Sequence, residues 1–149
     1  MKVEPAQPVV IDTNVWLSAA ITRSGTAALL CRLLVERNFQ PVFSPSTFDE
    51  LTVRLCLPKF DRYIGIDTRR RFLADTSDSA RWCSVPAPLS TQTWCRDPSD
   101  DKFIRVALAA GATRLISGDD DLLCLDPLGD LRILTPRAAL DEIAAADKP

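Results

Sequence analysis

Residues 9–15 read VVIDTNV, three β-branched apolar residues that run directly into an aspartate, Asp12. A short apolar run of this kind predicts a strand buried on both faces, as in a parallel sheet. The helical pattern that follows, at about 14–20, completes a strand–helix unit. In open parallel sheets, functional side chains gather beyond the carboxyl ends of the strands. Asp12 is therefore the first candidate for a functional site.

Four further apolar runs alternate with helical segments along the chain. The strands are predicted at 39–43, 81–85, 114–117 and 131–134, and the helices at about 26–37, 45–57, 66–79, 98–110 and 136–145. Residues 86–98 are expected to form a loop and residues 1–7 a loose leader. Alternation of strands and helices predicts an α/β fold, a mostly parallel sheet covered on both faces. We expect one domain over residues 1–149, with its core at about 8–145.

The composition is that of a globular protein, and it excludes several kinds of chemistry. The 149 residues are 46% hydrophobic and 26% charged, with a net charge of −2 and no histidine. The absence of histidine excludes Ser-His-Asp and Cys-His triads and imidazole bases. The five cysteines lack the close spacing of a zinc or redox motif and are expected to be reduced. Without a signal core or a membrane-length apolar run, we expect a cytoplasmic protein that does not enter a membrane.

Three more acidic residues occupy positions that a parallel sheet could bring close to Asp12. Glu50 lies in the second turn of the helix after the second strand, Asp101 at the start of the 98–110 helix, and Asp119 just beyond the fourth strand. Carboxylate oxygens are the ligands that Mg²⁺ and Mn²⁺ prefer. No basic side chain within these motifs is expected to replace a cation. The four acids together predict a metal site.

Each acid also has a structural interpretation. Asp12, Asp97, Asp100 and Asp119 all stand where a helix begins, and aspartate is a favoured N-cap residue. Glu50 alone is compatible with an exposed position on its helix. Capping explains any one of these residues, but it does not explain why the sequence places all of them at the same predicted edge of the sheet.

Basic residues concentrate between residues 54 and 71, although the chain as a whole is slightly acidic. This set consists of Arg54, Lys59, Arg62, Arg69, Arg70 and Arg71. One interpretation is a solvated helix face, and the other is a surface that contacts phosphates. The sequence leaves both open.

Five segments, in order, resemble the motifs of PIN-domain proteins, and in particular the branch that contains toxin components of toxin–antitoxin systems. These segments are residues 9–15, 44–60, 95–103, 117–123 and 132–136. The resemblance extends over nearly all of residues 8–140. It implies a three-layer α/β/α sandwich with a five-stranded sheet in the order 3-2-1-4-5, which places the first and fourth strands side by side.

The resemblance also implies roles for individual residues. The metal-facing and catalytic acids would be Asp12, Glu50, Asp101 and Asp119, and Asp121 would support the metal. Spacing in the third motif selects Asp101 ahead of its neighbours. Residues outside this set would orient carboxylates or water, namely Asn14, Ser117, Asp97 and Asp100. Ser117 stands where the family often has threonine, and it keeps the hydroxyl group.

The family resemblance implies an Mg²⁺- or Mn²⁺-dependent endoribonuclease that cleaves RNA by metal-activated water. It further implies an antitoxin protein partner and self-association. Two alternatives remain from the residues alone. One is a PIN-like module that binds RNA or protein without turnover. The other is an aspartate-based phosphotransfer domain, for which an acidic pair after the first strand and a late lysine would be typical.

Overall fold

The computed structural model describes residues 4–146, and its centre is a five-stranded parallel sheet in the order β3-β2-β1-β4-β5. The strands are β1 (Gln7–Ile11), β2 (Phe39–Phe43), β3 (Arg81–Trp82), β4 (Arg114–Ile116) and β5 (Arg132–Leu134). The helices are α1 (Thr13–Ile21), α2 (Thr26–Glu36), α3 (Pro45–Leu55), α4 (Ile66–Ser79), α5 (Ala87–Ser90), α6 (Asp101–Ala110), α7 (Asp120–Leu123) and α8 (Pro136–Ala146), and 3₁₀ turns span Pro58–Phe60 and Pro98–Asp100. The predicted fold class and strand order are confirmed.

β1 lies at the centre of the sheet and pairs with both β2 and β4. The chain connects β1 to β2 on one side and reaches β4 only after β3, so the strand order reverses beside β1. Backbone pairing continues past the last strand residue, since the Asp12 N–H donates to the Ile116 carbonyl at 2.9 Å. This register brings Asp12 and Ser117 next to each other at the carboxyl edge.

Alternating side chains of β1 divide the core into two halves. Val9 and Ile11 pack on one face with α1, α2, α3 and α8, whereas Val10 packs on the other face with α6. All three side chains are at most 3% exposed. The three-layer arrangement follows from the unbroken apolar run, because each face of a central parallel strand must be covered.

An aromatic cluster holds α3 over β2. The ring of Phe43 lies 5.6 Å from that of Trp16 and 5.1 Å from that of Phe48. At the start of α3, Ser44 and Thr47 form a reciprocal capping box. The cap and the ring contacts together fix the direction of α3, and therefore the position of Glu50 in its second turn.

Some boundaries differ from the sequence-based prediction. β3 is an edge strand of two residues rather than the predicted 81–85, and the 86–98 loop contains the short helix α5. β1 begins at Gln7, within the predicted leader, whose residues 1–3 lie outside the described residues. All five cysteines are free thiols. Within residues 4–146, none of the helices has both the length and the apolar character needed to cross a membrane.

Candidate active site

Ser117 connects the acidic residues that follow the two central strands. Its hydroxyl group donates to Asp12 Oδ2 at 2.7 Å and accepts from the Asp119 backbone N–H at 3.0 Å. The Ser117 side chain is fully buried, so both hydrogen bonds are shielded from water. The predicted proximity of Asp12, Ser117 and Asp119 is therefore observed, and Ser117 orients the Asp12 carboxylate.

The Asp12 carboxylate lies in an unfavourable environment for a negative charge. Asp12 is 5% exposed, and burial raises its pKa despite the hydrogen bond from Ser117. The nearby charges of Glu50 and Asp119 raise the pKa further. Asp12 does occupy the N-cap position of α1. A capping role alone does not require a buried carboxylate that contacts a serine 105 residues along the chain.

Three carboxylates converge beside this pair of strands. Oxygens of Asp100, Asp119 and Asp121 all lie within 4.8 Å of one another. Burial, together with the charge of Asp119 and a side-chain hydrogen bond to it, raises the pKa of Asp100 to about 7. Asp119 also caps α7, because its Oδ1 accepts from the Asp121 backbone N–H at 2.9 Å. Capping and clustering thus coexist in one residue.

Asp101 points away from the cluster and into the protein. Its side chain is fully buried, and Oδ1 accepts from the backbone N–H groups of Trp94 and Cys95 at 2.9 and 2.8 Å. Burial raises the pKa of this carboxyl, but the two backbone donors outweigh it and the pKa is lowered overall. The geometry therefore favours Asp100 over the predicted Asp101 as the carboxylate of this segment that faces the site.

Glu50 is held by two side chains that the sequence did not single out. Thr13 Oγ1 donates to Glu50 Oε2 at 2.5 Å, and Lys102 Nζ donates to Oε1 at 3.1 Å. Glu50 and Lys102 are each 21% exposed, so this ion pair is largely shielded. Lys102 is a basic side chain of the third motif, and its ion pair with Glu50 was not predicted. Both residues are sequence neighbours of predicted acids, but that adjacency alone does not predict their contact with Glu50.

Two predicted orienting residues lie at the periphery. Asp97 is exposed, and its carboxylate caps the 3₁₀ turn by accepting from the backbone and side chain of Ser99. These hydrogen bonds lower the pKa of Asp97. Asn14 is exposed and lines a groove along α1. The structural interpretation, a helix cap, thus accounts for Asp97.

The donor atoms at the carboxyl edge suit a hard divalent cation. The converging groups are carboxylate oxygens, and burial together with their mutual charge raises the pKa of both Asp12 and Asp100. A cation would lower the energy of exactly those ionised forms that crowding disfavours. These residues therefore fit a hard divalent cation, with Asp100, Asp119 and Asp121 as the tightest group.

The fold and this site define a class: an α/β protein with a carboxylate-rich pocket at the switch point of a parallel 3-2-1-4-5 sheet. The model of the PIN domain family matches residues 8–121. The chain belongs to the PIN-domain family, as the sequence motifs indicated.

A curated relative supports this membership. The uncharacterized protein MJ1680 of Methanocaldococcus jannaschii is 34% identical over 117 residues, which cover 78% of this chain and 74% of the relative.

Solved structures share the fold at low sequence identity. PAE2754 from Pyrobaculum aerophilum aligns with a TM-score of 0.60 and 18% identity, covering 93% of this chain and 90% of that one. VapBC2 from Rickettsia felis, bound to a DNA fragment from its promoter, gives 0.59 and 13%, covering 87% and 98%. VapC20 from Mycobacterium tuberculosis, a sarcin-ricin loop cleaving toxin, gives 0.54 and 17%, covering 83% and 98%.

Proposed function

We propose that this PIN-domain chain is a divalent-metal-dependent ribonuclease that hydrolyses RNA phosphodiesters. The observation that carries the proposal is the group of three carboxylates, Asp100, Asp119 and Asp121, beside the buried Asp12. A bound Mg²⁺ or Mn²⁺ would activate water and offset charge on the reacting phosphate. The likeness to VapC20, described as a cleaving toxin, is consistent with this chemistry.

The side chains divide into ligands and groups that orient them. Asp12, Asp100, Asp119 and Asp121 would hold the metal, with Asp100 taking the role that the sequence motif suggested for Asp101. Ser117 would fix the Asp12 carboxylate through its 2.7 Å hydrogen bond. Outer partners of this kind preserve the direction of a ligand and tune its basicity.

Glu50 has a role that depends on its partners. Both of its oxygens accept hydrogen bonds, from Thr13 and from Lys102. Glu50 would therefore contact the metal through water or with one oxygen only, while it holds the Lys102 ammonium beside the carboxylates. A positive charge at this position would favour approach of a phosphate to an otherwise acidic pocket.

A protein partner belongs to the same proposal. VapC20 is described as a toxin, and VapBC2 is bound to a DNA fragment from its promoter. By analogy, this chain would be the toxin of a toxin–antitoxin pair, held inactive by an antitoxin in the cytoplasm, and would associate with itself.

The two alternatives differ from the proposal in what they require of the acids. A binding module needs no cation at the carboxylates, so it gives no reason for the charge crowding at Asp100. A phosphotransfer domain needs an accessible aspartate nucleophile, whereas Asp12 is 5% exposed and bound to Ser117. The ribonuclease is therefore the function that the geometry supports best.

Cleavage of single-stranded RNA by the purified chain tests the proposal directly. We expect cleavage with Mn²⁺, none with EDTA, and at least about a 100-fold loss in Asp12→Asn and Asp119→Asn. The matched control is Glu142→Gln on α8, whose carboxylate pairs with Arg114 at the amino end of β4. Calorimetric Mn²⁺ titration of each variant separates loss of metal from loss of turnover. Unchanged cleavage in both aspartate variants would contradict the assignment of Asp12 and Asp119 to the catalytic site.

A further inference from the structure

A basic groove lies along α1, the helix that follows Asp12. Its volume is about 350 Å³, and its polar lining includes Asn14 and Ser18 from α1, Arg54 from α3, and Lys59 from the 3₁₀ turn after α3. Asn14 follows the site residues Asp12 and Thr13 directly. Arg54 stands one helical turn after Glu50, so the two side chains project from the same face of α3. On both helices, groove residues therefore lie within one turn of site residues.

The two cations of this groove are not neutralised by acids. Within residues 4–146, no carboxylate lies within ion-pair distance of Arg54 or Lys59, and none lines the groove. Lys59 Nζ instead lies 5.2 Å from the centre of the Phe60 ring. In a chain with a net charge of −2 and crowded acids nearby, this is a local site for anions.

A second cavity continues the groove past Ile21, which lines both. It adds a third cation, Arg23, and the side chain of Tyr63, which is 62% exposed. An exposed aromatic ring beside several cations is the combination that binds single-stranded nucleic acids, because phosphates contact the cations and a base stacks on the ring. An acidic protein segment would use the cations but would gain little from the ring.

Not every basic residue of this segment belongs to the groove. Arg69 is 3% exposed, and its guanidinium bonds to the Ile64 carbonyl and to Asp61 Oδ1 at 2.8 Å each. It fixes the turn that carries Tyr63 and is not available to a ligand. This basic stretch therefore contains residues of two kinds. Arg54 and Lys59 line the groove, whereas Arg69 stabilises the fold.

We propose that this groove binds single-stranded RNA beside the acidic pocket, with Arg54 and Lys59 on the phosphate backbone and Tyr63 stacked on a base. The inference rests on the proposed ribonuclease function, since it names the substrate path to that site. It also assigns the strand a direction of approach, along α1 toward Asp12.

RNA binding in EDTA tests this proposal without any cleavage. The probe is a fluorescein-labelled single-stranded RNA of about ten nucleotides, and its anisotropy is measured with the full chain from about 50 to 200 mM salt. The double variant Arg54→Ala/Lys59→Ala should bind about tenfold more weakly at low salt and reduce the salt slope by about 1.4, since each phosphate contact on a single strand contributes about 0.7.

Variants of Tyr63 provide a second test of the RNA-binding proposal. Tyr63→Ala should weaken binding at least about fivefold at every salt concentration without changing the slope, because stacking is not electrostatic. Tyr63→Phe keeps the ring and should bind like the wild type. Arg137→Ala, on the exposed part of α8, is the matched charge control and should change neither affinity nor slope.

Three results would overturn the proposal. They are no RNA binding in EDTA, an unchanged affinity in the double variant, or displacement of the RNA by polyglutamate together with an unaffected Tyr63→Ala. The last result would identify the groove as a surface for acidic polypeptides. None of them bears on Mn²⁺-dependent cleavage, so a failure of this proposal is distinguishable from a failure of the ribonuclease assignment.

Discussion

Both ends of the sheet carry carboxylates, but their charges have different neighbours: arginines at the amino ends of the strands and other carboxylates at the carboxyl ends. At the amino ends of β4 and β5, Arg114 pairs with Glu142 and Arg132 with Asp126, at 3.0 Å or less. Hydrogen bonds from these arginines lower the pKa of both carboxyls. Glu142 and Asp126 thus each have an arginine partner of their own.

At the carboxyl ends, Asp12, Asp100 and Asp119 face one another, although Glu50 and Asp121 have Lys102 and Arg96 nearby. Burial raises the pKa of Asp12 and Asp100, and neighbouring carboxylates add to the effect. A fold tolerates such crowding at a cost in stability that a bound cation would remove. The pKa of a carboxylate on this sheet therefore depends on the group opposite it, an arginine or another acid.

Asp100 and Asp101 are consecutive residues with different neighbours: Asp100 faces other acids, and Asp101 accepts hydrogen bonds from backbone N–H groups. Substitution of Asp101 gives the largest expected effect on stability. Asp101→Ala would leave the buried N–H groups of Trp94 and Cys95 without an acceptor, so we expect a loss of about 3 kcal/mol in the free energy of unfolding. Asp100→Ala in the metal-free protein should not lose stability, because it relieves repulsion. Urea denaturation in EDTA measures both.

A milder variant guards against failure to fold. Asp101→Asn keeps an acceptor for the two N–H groups and should bind Mn²⁺ like the wild type. Loss of Mn²⁺ binding in Asp101→Asn with full retention in Asp100→Asn would restore Asp101 as the ligand that its motif suggested.

Ser117, which follows β4, donates a hydrogen bond to Asp12, which follows β1, and so connects the ends of the two strands. Ser117→Ala removes the hydrogen bond to Asp12 and should lower Mn²⁺ affinity about 10- to 100-fold, the usual effect of losing an outer partner. Ser117→Thr keeps the hydroxyl and should retain most of the affinity. An alanine variant with wild-type Mn²⁺ affinity would mean that Asp12 needs no orientation or is not a ligand.

The pH dependence of the metal-free protein depends on Asp100. Its pKa rises from 3.8 to about 7 on folding, in interaction with Asp119, so the folded state binds more protons between these values. Stability should therefore fall as pH rises through this window. Asp100→Asn should remove the fall, becoming more stable than the wild type above about pH 7 and equal to it below about pH 4. Thermal melts in EDTA across this range would reveal a contrary sign.

The sequence was sufficient for those parts of the site that follow from local pattern and strand register. A β-branched run ending in an acid predicts Asp12 at the edge of a parallel sheet, and the pairing of β1 with β4 then brings Ser117 beside it. The same reasoning placed α3 and Glu50 correctly, because proline after serine marks the start of a helix.

Two features could not be predicted in the same way. The orientations of Asp100 and Asp101 depend on the 3₁₀ turn Pro98–Asp100, which rotates two adjacent side chains into different environments, one toward Asp119 and the other toward Trp94 and Cys95. The contact of Lys102 with Glu50 joins residues 52 apart. Neither the turn type nor that distant contact leaves a periodic signal in the sequence.

The ion pair between Arg114 and Glu142, at the amino end of the sheet, gives the smallest expected effect on stability. Glu142 is 43% exposed, so solvent screens the interaction, and a double-mutant cycle with Arg114→Met and Glu142→Gln should give a coupling of about 0.5 kcal/mol. Because folding lowers the pKa of Glu142, this contribution is present above the ordinary pKa of 4.5 and is lost as pH falls through the folded value.

Two measurements, the salt dependence of the coupling and the Mn²⁺ affinity, distinguish this ion pair from the acids at the carboxyl edge. The coupling should decrease with added salt, and neither single substitution should change Mn²⁺ affinity, because this carboxylate already has its cation. A coupling above about 2 kcal/mol would mean that the pair is shielded from solvent and ranks with the buried Asp101 contacts rather than with surface pairs. A change in Mn²⁺ affinity would couple the two ends of the sheet electrostatically, and the pairing of charges at one end would then contribute to the strain at the other.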